Sequence, residues 1–317
     1  MDLKDKNFLV TGGTGFIGSH LVEELISQKS NVIVPYISYD SKSYFFEKGL
    51  HKKSTLVSVD KKDFRGIANT ISKYKIDYVF DLAAQTIVET AYQNPFETFA
   101  TNIMGTVNVL ESARLYGNVS GIIVISSDKA YGKIPKANEN SPLSGDHPYE
   151  TSKASADLIA KTYFKTYKMP IVTCRFGNVY GEGDTNFSRI IPGIMRAIVL
   201  NQTLRLRSDG QYIRDYVYVK DIIDALILVL KNIRSTKGES FNVSSKENLS
   251  VIELIKILEK TLGRKINYKI LNIAINEIPK QSIDYKKIST SLNWKPKYKL
   301  SSKVQDILSW YSSYHAQ

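Results

Sequence analysis

The sequence predicts an α/β fold, a doubly wound parallel sheet with a smaller, partly interleaved C-terminal α/β domain. Three observations carry this. Short apolar runs alternate with helical patterns up to Arg175, a glycine-rich turn follows the first run, and beyond Arg175 the alternation loosens into turn-rich segments. Regular alternation of strand and helix requires crossover connections, which set the strands parallel and place helices on both faces.

The elements follow in order. "NFLVTGG" reads as a strand, residues 16–28 as a helix and "NVIVPY" as the second strand. "STLVSVD", a helix over 63–75 and "DYVFDLAA" come next. A long helical pattern covers 95–116, "GIIVISS" is the fifth strand, residues 150–167 form a helix and "PIVTCRF" is a strand. Then "GNVYGEGD" leads into the helical stretch "FSRIIPGIMRAIVL", "TLRLRSDGQYIRDYVYVKD", an amphipathic helix over 221–231 and the strand "ESFNVSS". Ser250 and Glu253 have the S-x-x-E spacing of a capping box, in which each side chain satisfies the other's free amide. This places a nucleotide-binding domain at 1–175, with a return segment near 214–242, and a substrate domain mainly at 176–317.

Composition narrows the classes. With 317 residues, 43% of them hydrophobic and 23% charged, the chain buries a substantial core. No apolar run approaches the roughly 18 residues of a membrane span. The N-terminus enters a strand at once, leaving no signal-peptide pattern. Cys174 is the one cysteine and lies in the apolar run "IVTCRF", as a small core residue does; an intramolecular disulfide is excluded and a reducing, cytoplasmic setting expected. The formal charge is +12. Its lysines are scattered along the chain, with no basic tail or basic-aromatic block, so nucleic acid is not an expected partner. Such a field favours small anionic substrates. His20, His51, His147 and His315 lack metal-ligand spacing, and His147 reads as a loop residue.

"TGGTGFIGSH" sets Gly12, Gly15 and Gly18 between a strand and a helix. Glycine lets the backbone turn tightly and approach a pyrophosphate, whose charge meets the helix N-terminus. This is the signature of a Rossmann dinucleotide-binding domain, in the G-x-x-G-x-x-G spacing. The ribose-binding acid expected at the end of the second strand is missing; Pro35 and Tyr36 stand there, with Asp40 further on. Ser38, Ser41 and Lys42 form no clear phosphate clamp, so NAD is favoured over NADP, with both left open. Asp60 ends the third strand in position to accept from an adenine amino group. Leu82, Ala83, Ala84 and Gln85 end the fourth with room for a cofactor.

Tyr149 and Lys153, four apart at the start of a helix, project from one face. A phenol with a pKa near 10 is a poor base at neutral pH, and lowering it by about three requires roughly 4 kcal/mol of phenolate stabilisation. A lysine ammonium, the ring of an oxidised nicotinamide and a helix N-terminus can together supply this. A packing tyrosine beside a solvated lysine is the plain alternative. The glycine turn, and Ser127 after the fifth strand, favour catalysis.

The chain resembles the extended short-chain dehydrogenases that act on nucleotide sugars, and among them most the CDP-glucose 4,6-dehydratases. The likeness is closest in "DLAAQTIVETAYQNPFETFATNIMGTVNVLESAR", "SSDKAYG" and "PYETSKASADLIAKTYF", and continues through "RFGNVYGEGD" and "SRIIPGIMRA". General family motifs cover nearly the whole chain, the closer match roughly 78–197. Two features depart from the CDP-glucose form: "IRDYVYVKD" is similar to dTDP-sugar dehydratases and UDP-sugar epimerases, and the chain is shorter. The nucleotide base and the sugar stay open.

The resemblance implies roles by position. Ser127, Tyr149 and Lys153 are the oxidoreductase triad, and Asp128 and Lys129 the acid and assisting base of an elimination. The alternative for Asp128 and Lys129 is an exposed ion pair in a loop; a simple 4-epimerase needs no acid to expel a hydroxyl and usually carries small or neutral residues after the serine. Phe16, Ile17 and Asn102 join the cofactor contacts, with Tyr149 and Lys153 at the nicotinamide ribose. Asn178, Arg189 and Arg214 are the contacts for a substrate diphosphate, if they are not surface groups. Residues 95–116 and 150–167 carry more apolar positions than one covering face needs, and in related enzymes such helices pair as a four-helix bundle, so a homodimer is expected.

Overall fold

The computed structural model describes residues 1–273 and 278–316. Its larger sheet contains β1 (Asn7–Thr11), β2 (Asn31–Tyr36), β3 (Thr55–Ser58), β4 (Tyr78–Asp81), β5 (Gly121–Ser127), β7 (Ile171–Phe176) and β11 (Ser240–Val243). Their order is β11-β7-β5-β4-β1-β2-β3, parallel throughout. The smaller sheet runs β12 (Asn248–Ser250), β10 (Ile213–Tyr218), β14 (Lys280–Ile283) and β6 (Lys136–Ala137), with β8 (Asn178–Tyr180) beside β10. β9 (Leu204–Leu206) pairs with β13 (Tyr268–Ile270). This is the doubly wound α/β architecture with a smaller mixed sheet behind it.

The alternation of side chains along each strand builds two apolar layers. Phe8, Val10, Val34, Phe80 and Ile123 face one side, against Leu21 and Leu25 of the helix Phe16–Ser27 and Ile222 and Leu226 of the helix Val219–Lys231. Leu9, Ile33, Val79, Ile122 and Val124 face the other, against Ile67, Ile71, Val109 and Leu110. Cys174 lies buried in the first layer. A third cluster, including Ile194, Leu254 and Ile307, packs the helices of the C-terminal part. The capping box of Ser250 and Glu253 is present and starts the helix Val251–Leu262. Among the described residues no helix is long and apolar enough to cross a membrane.

The helix expected over 95–116 is interrupted. Pro95–Phe99 passes through a π-helical turn, Ala100–Met104, before the helix Gly105–Tyr116 begins. The wide turn carries Asn102, which is buried and hydrogen-bonded to groups outside the helix. Single π turns of this kind commonly mark functional positions.

Candidate active site

The glycine turn has the close geometry that its sequence calls for. Gly12 adopts φ +68°, and a Cβ there would lie 2.8 Å from the Ala83 nitrogen. A Cβ on Gly18 would lie 2.0 Å from the Gly12 carbonyl oxygen. Gly15 caps the helix Phe16–Ser27 without a side-chain bond, leaving the first-turn amides, those of Phe16 and Ile17 included, open to an anion. Leu82, Ala83, Ala84 and Gln85 are partly exposed beside this turn. Such a cradle, which any side chain would fill, fits a dinucleotide pyrophosphate. Asp60, two residues beyond β3, accepts from the Lys62 backbone at 2.9 Å and lies 3.5 Å from the Lys62 ammonium. No carboxylate ends β2; Tyr36 does, and Asp40 beyond it accepts from the Lys42 amide at 2.9 Å.

Beneath the cradle lies a group that sequence reasoning missed. The Lys61 ammonium, 4% exposed in its side chain, pairs with Asp81 at 2.7 Å and donates to the Ala83 carbonyl at 2.9 Å. Thr11 donates to Asp81 at 2.7 Å and accepts from the Ala83 amide at 3.0 Å. The loop after β4 is therefore fixed from below by an ion pair whose partners are otherwise satisfied. Asn102 fixes it from the side: its Oδ1 accepts from the Gln85 amide at 2.8 Å, and its Nδ2 donates to the Gln85 carbonyl and to Ser152 Oγ, each at 2.9 Å. Its polar atoms thus brace the loop against the helix Pro148–Tyr167, which carries Tyr149, Ser152 and Lys153.

Ser127, Tyr149 and Lys153 come together where β5 ends against that helix. All three are largely buried, and Lys153 Nζ donates to the Ile125 carbonyl at 3.1 Å. Burial pushes the Tyr149 phenol up to about 12, while the adjacent Ser127 hydroxyl and the Arg189 charge ease it down. The lowering that a general base needs is therefore not a property of the chain by itself. Burial also brings Lys153 down to about 8, assisted by the Lys61 ammonium, so its charge is weakly held. His147 precedes the helix and meets Glu150 at 3.1 Å, as a loop residue.

Asp128 and Lys129 do not form an exposed ion pair. Asp128 is 4% exposed and accepts from Ser127 Oγ at 3.0 Å. Lys129 Nζ donates to Oε1 of Gln281, whose Nε2 donates to the Asp128 carbonyl at 3.2 Å. Asp215 lies behind them: its Oδ2 accepts from the Ile283 amide at 2.7 Å, and burial, helped by the Asp128 charge, pushes its carboxyl up to about 7. The Ser244 hydroxyl eases it down from nearby without meeting hydrogen-bond geometry. Gln281 and Asp215 were not expected as site residues. A polar residue inside the apolar strand "IRDYVYVKD" is a faint signal for Asp215; Gln281 had none.

The three expected substrate contacts come from different elements. Asn178, on β8, has a buried Nδ2 with no partner among the described residues, a donor left for a ligand. Arg189 is partly exposed, bonds both oxygens of the buried Asp184 at 3.0 Å through Nη1 and reaches Thr86, in the loop after β4, at 3.4 Å through Nη2. Arg214, on β10, donates to its neighbour's carbonyl at 2.9 Å and lies over the Tyr212 ring.

Fold and site together define a dinucleotide-dependent enzyme of the extended short-chain dehydrogenase class. The family model described as GDP-mannose 4,6 dehydratase matches residues 9–307, and the chain belongs to that family, within the NAD-dependent epimerases and dehydratases of nucleotide sugars. The dTDP-glucose 4,6-dehydratase of Haemophilus influenzae is 30% identical, over 96% of this chain and 97% of its own. The CDP-glucose 4,6-dehydratase of Salmonella typhimurium is also 30% identical, over 98% and 93%. A solved UDP-glucuronic acid 4-epimerase from Bacillus cereus, in complex with UDP-glucuronic acid and NAD, superimposes with TM-score 0.88 at 25% identity, covering 97% of this chain and 99% of its own. Whole-chain identity thus does not single out the CDP-glucose form, and relatives divide between elimination and inversion.

Proposed function

We propose that the chain is a nucleotide-sugar 4,6-dehydratase, converting an NDP-hexose to its 4-keto-6-deoxy product. The observation that carries this is the buried Asp128 carboxyl group, whose Oδ1 accepts from Ser127 Oγ at 3.0 Å and whose other oxygen can carry the proton an acid needs. A 4-epimerase expels no hydroxyl and has no task for an acid at that place.

NAD would be held in the cradle of Gly12, Gly15 and Gly18 and would supply a hydride acceptor that is regenerated within the turnover. Asp60 takes the adenine end, the loop after β4 the centre, and Tyr149 and Lys153 the nicotinamide ribose. The carboxylate of Asp40 beside Lys42 disfavours a ribose phosphate, which supports NAD over NADP. Asn178, Arg189 and Arg214 hold the sugar diphosphate; the planar fork of arginine suits phosphate oxygens. Ser127 orients the 4-hydroxyl and Tyr149 removes its proton as carbon 4 loses hydride. The new carbonyl acidifies the proton on carbon 5, which Lys129 helps to remove. Asp128 protonates the departing 6-hydroxyl, so that water leaves across carbons 5 and 6. Hydride then adds at carbon 6 and a proton at carbon 5, and the net reaction is redox-neutral.

A homodimer is part of this proposal. Phe96, Met104, Leu115 and Leu158, on the packed helical layer of 95–116 and Pro148–Tyr167, are 81%, 53%, 59% and 53% exposed, and a second copy would cover them. The test of function is incubation with a panel of nucleotide sugars followed by mass spectrometry. Loss of one water supports the dehydratase; inversion at carbon 4 with unchanged mass makes the chain a 4-epimerase.

A further inference from the structure

One side chain of the smaller sheet reaches the reaction centre. Gln281, on β14, is 1% exposed. We propose that Gln281 is a positioning residue for the elimination, holding the Lys129 amine in a fixed place relative to Asp128 through a neutral hydrogen bond. This rests on the dehydratase function proposed above.

The chemistry of the carboxamide fixes its direction. The Asp128 carbonyl can only accept, so it takes Nε2 of Gln281 at 3.2 Å. That turns Oε1 toward Lys129, whose Nζ donates to it. The strand beneath is held on both sides: Arg214 stands opposite Gln281 on β10, Ser282 opposite Lys136 on β6, and the Ile283 amide donates to Asp215 at 2.7 Å. A lysine amine sits on a flexible four-carbon stem, and the bond to Gln281 narrows the positions it can take.

The neutrality of Gln281 matters as much as its reach. Asp128 adjoins Lys129, and Asp215 and Glu150 lie close enough to interact with its charge. Each of these carboxyl groups favours the ammonium form when it is ionised, and a group that helps remove a proton must first shed its own. Glutamine adds a hydrogen bond without a further negative charge.

Two variants test this, both loaded with NAD and given a sugar that the wild type dehydrates. Gln281→Met keeps the reach and loses both bonds. It should still oxidise carbon 4, seen as absorbance of reduced cofactor, while water release and exchange of the carbon 5 proton with deuterated solvent slow by about 10- to 100-fold. Gln281→Glu places an anion against Lys129, and the rising limb of its pH–rate profile should move about one to three pH units upward. Water release, exchange and pH profile at wild-type values in both variants would overturn the proposal and leave Gln281 a strand residue. If the wild type itself loses no water, the dehydratase function fails first, and Lys129 has no elimination for Gln281 to serve.

Discussion

Asn102 and Ser152 meet in a buried hydrogen bond of 2.9 Å that ties a π-helical turn to the helix that carries Tyr149. Because Asn102 also holds both backbone groups of Gln85, one side chain sets the distance between the cofactor loop and Tyr149. Asn102→Leu, similar in volume, leaves these groups without their partner. It should cost about 2–4 kcal/mol of stability, since each buried polar group left unsatisfied carries its own desolvation penalty. NAD affinity should fall with it. Urea unfolding and calorimetric titration of NAD check the two effects; unchanged NAD binding in a destabilised protein would limit Asn102 to packing.

Asp215 predicts a pH dependence of stability. Its folded carboxyl titrates at about 7, against an ordinary 3.8. Between these values the folded chain keeps a proton that the unfolded chain has released, so this group's contribution falls as pH rises through that window and is fully unfavourable above it. Asp215→Asn removes the charge, and its amide oxygen can still accept from Ile283. The variant should be more stable than wild type at about pH 8, on the order of 2–4 kcal/mol, with the gap closing toward about pH 4. Denaturant midpoints at the two pH values decide it, and a gap independent of pH would contradict the assignment.

The helical layer predicts assembly. Leu158→Glu puts a charge in the middle of the exposed apolar positions of the helix Pro148–Tyr167. Light scattering should find wild type as a dimer at micromolar concentration and the variant as a monomer that still melts cooperatively. A monomeric wild type would contradict the dimer.

Much of the fold was legible because its signals are local. The strand-helix alternation, the glycine turn and the four-residue spacing of Tyr149 and Lys153 each lie within one short stretch. What was missed joins distant residues: Lys61 with Asp81, and Lys129 with Gln281 across 152 positions. In sequence, Asp81 is one more residue at a strand end, and Gln281 is a polar residue in a lysine-rich segment. The π turn escaped because one wide turn barely disturbs the average apolar period over 95–116. The raised Tyr149 phenol was not legible for another reason: its helix position shows in sequence, but the burial that raises it depends on how the surrounding elements pack.

Asp128 gives the most direct test, because it separates the two halves of the reaction. Tyr149→Phe should lose oxidation and every later step, by about 100- to 10,000-fold. Asp128→Asn, loaded with NAD and mixed with a sugar that the wild type dehydrates, should still oxidise carbon 4. Absorbance of reduced cofactor should then accumulate while water release, read by mass spectrometry, falls by about 100- to 10,000-fold. Water release from Asp128→Asn at the wild-type rate, with no accumulation of reduced cofactor, would contradict the role of Asp128, and a wild type that releases water from no nucleotide sugar would contradict the dehydratase assignment itself.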